Sequence, residues 1–77
     1  MPTIHRLSIC RIVIYADDHA PPHFHVLSAD GGYMVDIATL AIIRGTAPAG
    51  HSDGALEWAA ANKALLTAKW DEYNERD

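Results

Sequence analysis

The sequence has little that would place the protein outside the cell or in a membrane. Its 77 residues include one cysteine, Cys10, which cannot form an intramolecular disulfide and suits a reducing cytosol. No run approaches the roughly 20 apolar residues that a membrane-spanning helix needs. The first residues also lack the basic-then-apolar order of a signal peptide. We therefore expect a cytoplasmic protein with no membrane partner.

Basic residues are scarce as well. Six Lys and Arg stand against ten Asp and Glu, which gives a formal net charge of -4, and the six basic residues form no cluster. Binding to duplex DNA depends largely on Lys and Arg side chains that displace counterions from the phosphates. DNA is therefore not an expected partner, whereas five histidines leave RNA as an open alternative.

The chain is hydrophobic enough for one small core. Hydrophobic residues make up 49% of it, and we expect a single domain that spans residues 1–77. A domain of this size buries only about 60% of the surface of its unfolded chain, so its stability should be marginal. Small domains often gain stability by association. We therefore expect a small partner protein or a homo-oligomer.

The strands are expected within residues 7–45. Residues 7–16 are rich in β-branched side chains, apolar on both alternating faces, which predicts a largely buried strand. Residues 23–29 and 33–37 flank a glycine pair and predict a hairpin. Residues 40–44 supply a possible fourth strand. The pattern indicates an antiparallel meander of three or four strands.

Helices are expected in residues 52–75, where no glycine follows Gly54 and no proline occurs. Asn62 is a poor residue for a helix interior and Lys63 interrupts the apolar stripe, so a bend or a break is expected there. The fold class is therefore α+β, with one bent or two short C-terminal helices packed on one face of the sheet.

The most site-like feature is residues 17–25, called here the histidine segment, which contains three histidines, two aspartates and a proline pair. Alternate side chains of a strand share a face, so His23 and His25 should project together. His19 precedes the proline pair, whose fixed φ angles can fold it back toward the other two. The two imidazoles of the strand are therefore neighbours by geometry.

Three interpretations of the histidine segment remain open. In the first, converging imidazoles bind a divalent transition metal such as Zn²⁺, Ni²⁺ or Fe²⁺, and the protein is a metal-binding protein or a metal-dependent hydrolase. The candidate ligands are His19, His23, His25 and Asp18, with Asp17 as an alternative carboxylate. Alternatively, His23 or His25 is a catalytic acid or base, as in RNA cleavage. Finally, the segment only fixes a sharp corner between two strands. The residues do not decide whether the chain is an enzyme.

Two tryptophans in the helical region are the candidates for a partner-binding surface. Trp58 and Trp70 can each pack in the core, but an exposed tryptophan beside alanines is a good anchor for a partner protein. No complete catalytic constellation is visible in the sequence. The leading hypothesis from the residues is therefore a non-enzymatic interaction protein.

A long motif, Asp18-His19-Ala20-Pro21-Pro22-His23-Phe24-His25-Val26, follows an apolar strand that ends in Tyr15. With this motif the sequence resembles, over nearly its whole length, a family of small bacterial proteins known as domain of unknown function 4160. Members are often encoded beside a second small protein, and some are grouped with toxin–antitoxin pairs. The resemblance thus implies a component of a two-protein, toxin–antitoxin-like regulatory module. A histidine-dependent, ribonuclease-like toxin is an alternative, because the element order is similar to that of small messenger-RNA-cleaving toxins.

Overall fold

A computed structural model describes residues 3–16, 18–19, 21–29, 31–46 and 52–74, apart from the side chains of Ser52 and Asp53. Five strands come first along the chain and two helices follow, which confirms the α+β class. The strands are β1 (Thr3–Arg6), β2 (Cys10–Val13), β3 (His23–Ser28), β4 (Gly31–Asp36) and β5 (Ile42–Gly45), and the helices are α1 (Ser52–Ala61) and α2 (Lys63–Asn74).

The sheet is an antiparallel meander in which the order of the strands follows the chain, from β1 to β5. β2 has a neighbour on each side, and Ile12 and Val13 within it are fully buried. This agrees with the buried strand predicted from β-branched side chains, which pack well on a pleated surface.

The sheet has five strands, whereas three or four were predicted. β1 precedes residues 7–45, the range predicted to hold the strands, and pairs with β2. The amide of Leu7 donates to the carbonyl of Cys10 at 2.8 Å, so the residues between them form a tight turn instead of the start of β2. Four residues are too few for an alternating pattern to stand out, and such a strand depends on the rest of the sheet.

The core lies between one face of the sheet and the helices. Phe24 and Val26 of β3 point into it. The other core residues lie in the remaining strands, directly after β2 and β4, or in the helices: Ile12, Ile14, Tyr33, Val35, Ile37, Ala55, Ala59, Leu66 and Trp70. Because side chains alternate along a strand, His23 and His25 are directed to the opposite face. The histidine segment therefore borders this opposite face, and the end of α2 reaches it where Trp70 packs against His23.

Asn62 separates the two helices. Its side-chain amide donates to the carbonyl of Trp58 at 2.8 Å, and its own carbonyl accepts the amide of Leu66 at 3.0 Å. Asn62 thus satisfies groups at the end of α1 and at the start of α2, which confirms the predicted break. Neither described helix has the length and apolarity needed to cross a membrane.

Candidate metal centre

Three side chains of the histidine segment converge beside the start of β3. Nε2 of His23 lies 2.9 Å from Oδ2 of Asp18, and Nε2 of His25 lies 3.4 Å from the same oxygen. One potential ligand atom from each residue lies within 4.8 Å of the other two. We call Asp18, His23 and His25 the His–Asp cluster.

β3 brings the two imidazoles together, as predicted from strand alternation. The ring centres of His23 and His25 are 5.2 Å apart. Tyr15 packs edge-on against His25 with ring centres 4.7 Å apart, and Trp70 of α2 lies 5.0 Å from His23. These aromatic contacts restrict the rotation of both imidazoles, so the cluster is supported by the segment that follows β2 and by α2.

Asp18 is positioned by the far end of the chain. Its amide donates to Oδ1 of Asn74 at 2.6 Å, and Nδ2 of Asn74 donates to the carbonyl of Tyr15 at 3.0 Å. The amide of His19 donates to Oδ1 of Asp18 at 2.9 Å, which leaves Oδ2 directed at the imidazoles. Asn74 was not identified from the sequence, because no local pattern links it to a residue 56 positions earlier.

The hydrogen bonds of His23 fix where its proton lies. Nδ1 is 2.7 Å from the carbonyl oxygen of Pro21, which can only accept, so Nδ1 carries the hydrogen. In a neutral imidazole, Nε2 then presents a lone pair to Oδ2 of Asp18. Two lone pairs at 2.9 Å repel each other unless a proton or a cation lies between them. With only 2% of His23 exposed, bulk water screens this repulsion poorly.

The environment favours a neutral His25 and an ionised Asp18. Burial lowers the pKa of His25 below its ordinary 6.5, although its hydrogen bond to Asp18 acts in the opposite direction. Burial by itself raises the pKa of Asp18, but the His19 amide and the imidazoles of His25 and His23 outweigh it, so the pKa lies below 3.8. Neutral imidazole and carboxylate are the forms that bind metals.

The model of the family described as Domain of unknown function (DUF4160) matches residues 10–71. The chain belongs to this family. The matched range includes the whole His–Asp cluster, while β1 and Asn74 lie outside it. Neither the curated proteins nor the solved structures contain a significant match. Membership in DUF4160 confirms the resemblance found in the sequence and supplies no activity, so function has to be argued from the site.

Two further candidate ligands of this DUF4160 chain were predicted from the sequence, His19 and Asp17. His19 is exposed and lines a neighbouring cleft, and its side chain is not one of the three that converge. Asp17 lies outside the described residues. Among the described residues, the structure therefore brings the Asp18 carboxylate to the histidines, and His19 contributes its main-chain amide.

The two tryptophans do not lie in one exposed patch. Trp70 is 8% exposed and packs against His23. Trp58 is half-buried and stacks on His5 with ring centres 4.4 Å apart. Partner binding through either tryptophan stays a prediction. The large hydrophobic residues that are exposed in the described part of the chain are Ile9, Ile42, Ile43 and Leu65.

Two open clefts adjoin the His–Asp cluster on the face away from the helices. The larger, about 460 Å³, includes Asp18 and His23 in its lining, and the smaller, about 220 Å³, includes His25. Met34 and Arg44 line both clefts. A small molecule bound in either cleft can therefore contact Arg44 and a residue of the cluster together.

Proposed function

We propose that this DUF4160 protein binds a divalent transition-metal ion through Asp18, His23 and His25. The observation that supports the proposal is the approach of two Nε2 atoms to a single carboxylate oxygen. Hydrogens can fill both contacts only if His23 carries a second one, because its first lies on Nδ1. A metal ion accepts electron pairs from all three side chains at once, and so relieves the repulsion at His23 and engages His25 as well.

Two of the three separations between ligand atoms suit such an ion, and all three atoms lie within 4.8 Å of one another. Metal bonds to imidazole nitrogen and carboxylate oxygen are about 2.0–2.2 Å long, which separates neighbouring ligand atoms by about 3.0 Å in octahedral and about 3.4 Å in tetrahedral geometry. Oδ2 of Asp18 lies 2.9 and 3.4 Å from the two nitrogens. Two histidines and one carboxylate also leave coordination positions open, as in Fe²⁺ oxygenases and zinc hydrolases.

The surrounding hydrogen bonds are those that metal ligands need. A metal-binding histidine usually donates its second ring N–H to a carbonyl or carboxylate, which fixes the tautomer. The carbonyl of Pro21 accepts that bond from His23. The amide of His19 likewise orients Asp18 by binding its other oxygen. The proline-containing loop therefore acts as a support for the ligands.

The experiment is elemental analysis of tag-free protein purified without chelator, followed by titration of the bound metal into chelator-treated samples. We expect about one ion per chain in the wild type and in His5→Gln, a matched control that removes an imidazole stacked on Trp58. Asp18→Asn and His25→Gln should each bind the metal at least roughly 100-fold more weakly, because even supporting residues contribute 10- to 100-fold.

Two results would overturn the metal site. One is a wild-type protein that retains no metal and binds Zn²⁺, Fe²⁺ and Ni²⁺ no better than Asp18→Asn does. The other is an equal loss of affinity in His5→Gln, which would show that the variants act through the fold. His19→Gln extends the test: affinity within about threefold of wild type is expected of a residue that supplies only its main-chain amide to the cluster.

The exposed edge strand β5 favours a protein-interaction role as a second candidate function. β5 is an edge strand whose four residues are all exposed, and Ile42 and Ile43 are 39% and 43% exposed. An unpaired strand edge with apolar side chains is a template for strand addition. We propose self-association through β5, which light scattering should detect as a dimer that Ile43→Lys converts to monomer. A monomeric wild type at high micromolar concentration would exclude this. The toxin–antitoxin-like role remains a hypothesis.

A further inference from the structure

Arg44 faces the same side of the sheet as the imidazole of His25. In the strand register, His25 of β3 lies opposite Met34 of β4, and Met34 lies opposite Arg44 of β5. Residues directly opposite each other in antiparallel strands point to the same face. Arg44 is thus two strands from His25, and Met34 lies between them.

The Arg44 guanidinium is available for a ligand. Arg44 is exposed, lines both clefts of the cluster, and forms no ion pair with an acidic side chain of the described residues. The acidic residue that β4 places on this face is Asp36, opposite His23. Its Oδ1 accepts the amides of Ala38 and Thr39, so it is engaged in the turn after β4.

We infer that the metal centre takes a phosphate group as its external ligand, with one oxygen on the metal ion and others on Arg44. The inference rests on the proposed metal site. Two neutral imidazoles and one carboxylate leave a divalent ion with a net charge of about +1, and Arg44 adds another positive charge. The loaded cleft is therefore cationic in a chain whose formal charge is -4.

Phosphate matches this arrangement because it carries several oxygens and up to two negative charges near neutral pH. A planar guanidinium can donate two parallel hydrogen bonds to two of these oxygens. A third oxygen remains for an open position of the metal. Paired metal and arginine contacts of this kind recur where proteins hold phosphoryl groups. The substrate class that fits the cleft is accordingly a phosphorylated small molecule.

The test titrates phenylphosphonate, a stable phosphate mimic, into Co²⁺-loaded protein by calorimetry, and benzoate serves as the matched carboxylate. Arg44→Gln should weaken phenylphosphonate binding roughly 10- to 100-fold, because a charge-assisted, two-point contact is lost. Arg44→Lys should retain part of the affinity, since it keeps the charge without the fork. Arg11→Gln is the control: Arg11 lies on the same face near Thr3 and lines neither cleft.

The outcomes separate the two proposals. Co²⁺ binding measured first tests the metal site, and its failure in the wild type overturns both proposals. Normal Co²⁺ binding with equal phenylphosphonate affinity in wild type and Arg44→Gln overturns the phosphate inference alone. Equal losses in Arg11→Gln and Arg44→Gln also overturn it, because they would indicate nonspecific charge attraction. Benzoate binding as tight as that of phenylphosphonate overturns the choice of phosphate.

Discussion

Asn74 joins the end of α2 to the loop that presents Asp18, and its replacement by alanine tests how the site is supported. The substitution removes the two hydrogen bonds that Asn74 makes, to the Asp18 amide and to the Tyr15 carbonyl. Each such bond contributes about 1 kcal/mol, so unfolding should become easier by about 2 kcal/mol. In a domain of this size, that lowers the melting temperature by roughly 8–16 °C.

The same substitution should weaken metal binding about tenfold, because Asp18 loses a supporting contact. Melting curves of the metal-free protein and metal titration give the two effects separately. Asn62→Ala is the control, since it removes a hydrogen bond to Trp58 at the other end of α2, away from the cluster. It should cost about 1 kcal/mol of stability and leave the metal affinity unchanged. An unaltered melting temperature for Asn74→Ala would refute the reasoning, as would equal losses of metal affinity in both variants.

Three further predictions concern the backbone, pH and the metal. Gly45→Ala should destabilise by about 1–3 kcal/mol in urea titrations, because Gly45 has a φ of +81° and a Cβ there would lie 2.9 Å from the Gly32 carbonyl oxygen. A Cβ at Gly54 in α1 would meet no atom within 4 Å, so Gly54→Ala should stabilise the protein by up to about 1 kcal/mol. A Gly45→Ala variant more stable than Gly54→Ala would contradict this reasoning. The metal-free protein should lose stability as pH falls below 6.5, since the lowered pKa of His25 means that the unfolded chain binds the proton first. His25→Gln should reduce the pH dependence of the unfolding midpoint between pH 6.5 and the lower pKa of His25 in the folded state. An unchanged pH dependence in this variant would show that His25 is not its cause. A chelator should lower the melting temperature of wild type, because it removes about 2.7 kcal/mol of stabilisation if the metal is at 100 times its dissociation constant. It should leave the melting temperature of Asp18→Asn unchanged.

The pairing of His23 with His25 could be predicted from the sequence because it depends only on local geometry. Side chains two apart on a strand share a face whatever the rest of the fold does. The break at Asn62 was predictable for a similar reason, since an asparagine there competes with the helix through its own hydrogen bonds. The fold class followed from segments that each favour one type of element.

The role of Asp18 could not be separated from that of Asp17 or His19 in the sequence. Whether Asp18 or His19 faces the imidazoles depends on the path of the loop, which the hydrogen bonds of Asn74 to Asp18 and Tyr15 help to hold. Contacts between residues so far apart in the chain leave no periodic signal. The same limit applied to β1, whose pairing with β2 exists only in the folded sheet.

A purely structural role for the histidine segment explains part of what the structure contains. A corner between strands needs groups that bind main-chain amides, and Asp18 and Asn74 supply them. The imidazoles bind no amide: His23 donates to a carbonyl, and both Nε2 atoms face a carboxylate. Burying an imidazole costs free energy that an apolar side chain in the same place would avoid. The corner therefore accounts for Asp18 but not for the convergence of the two histidines on one carboxylate oxygen.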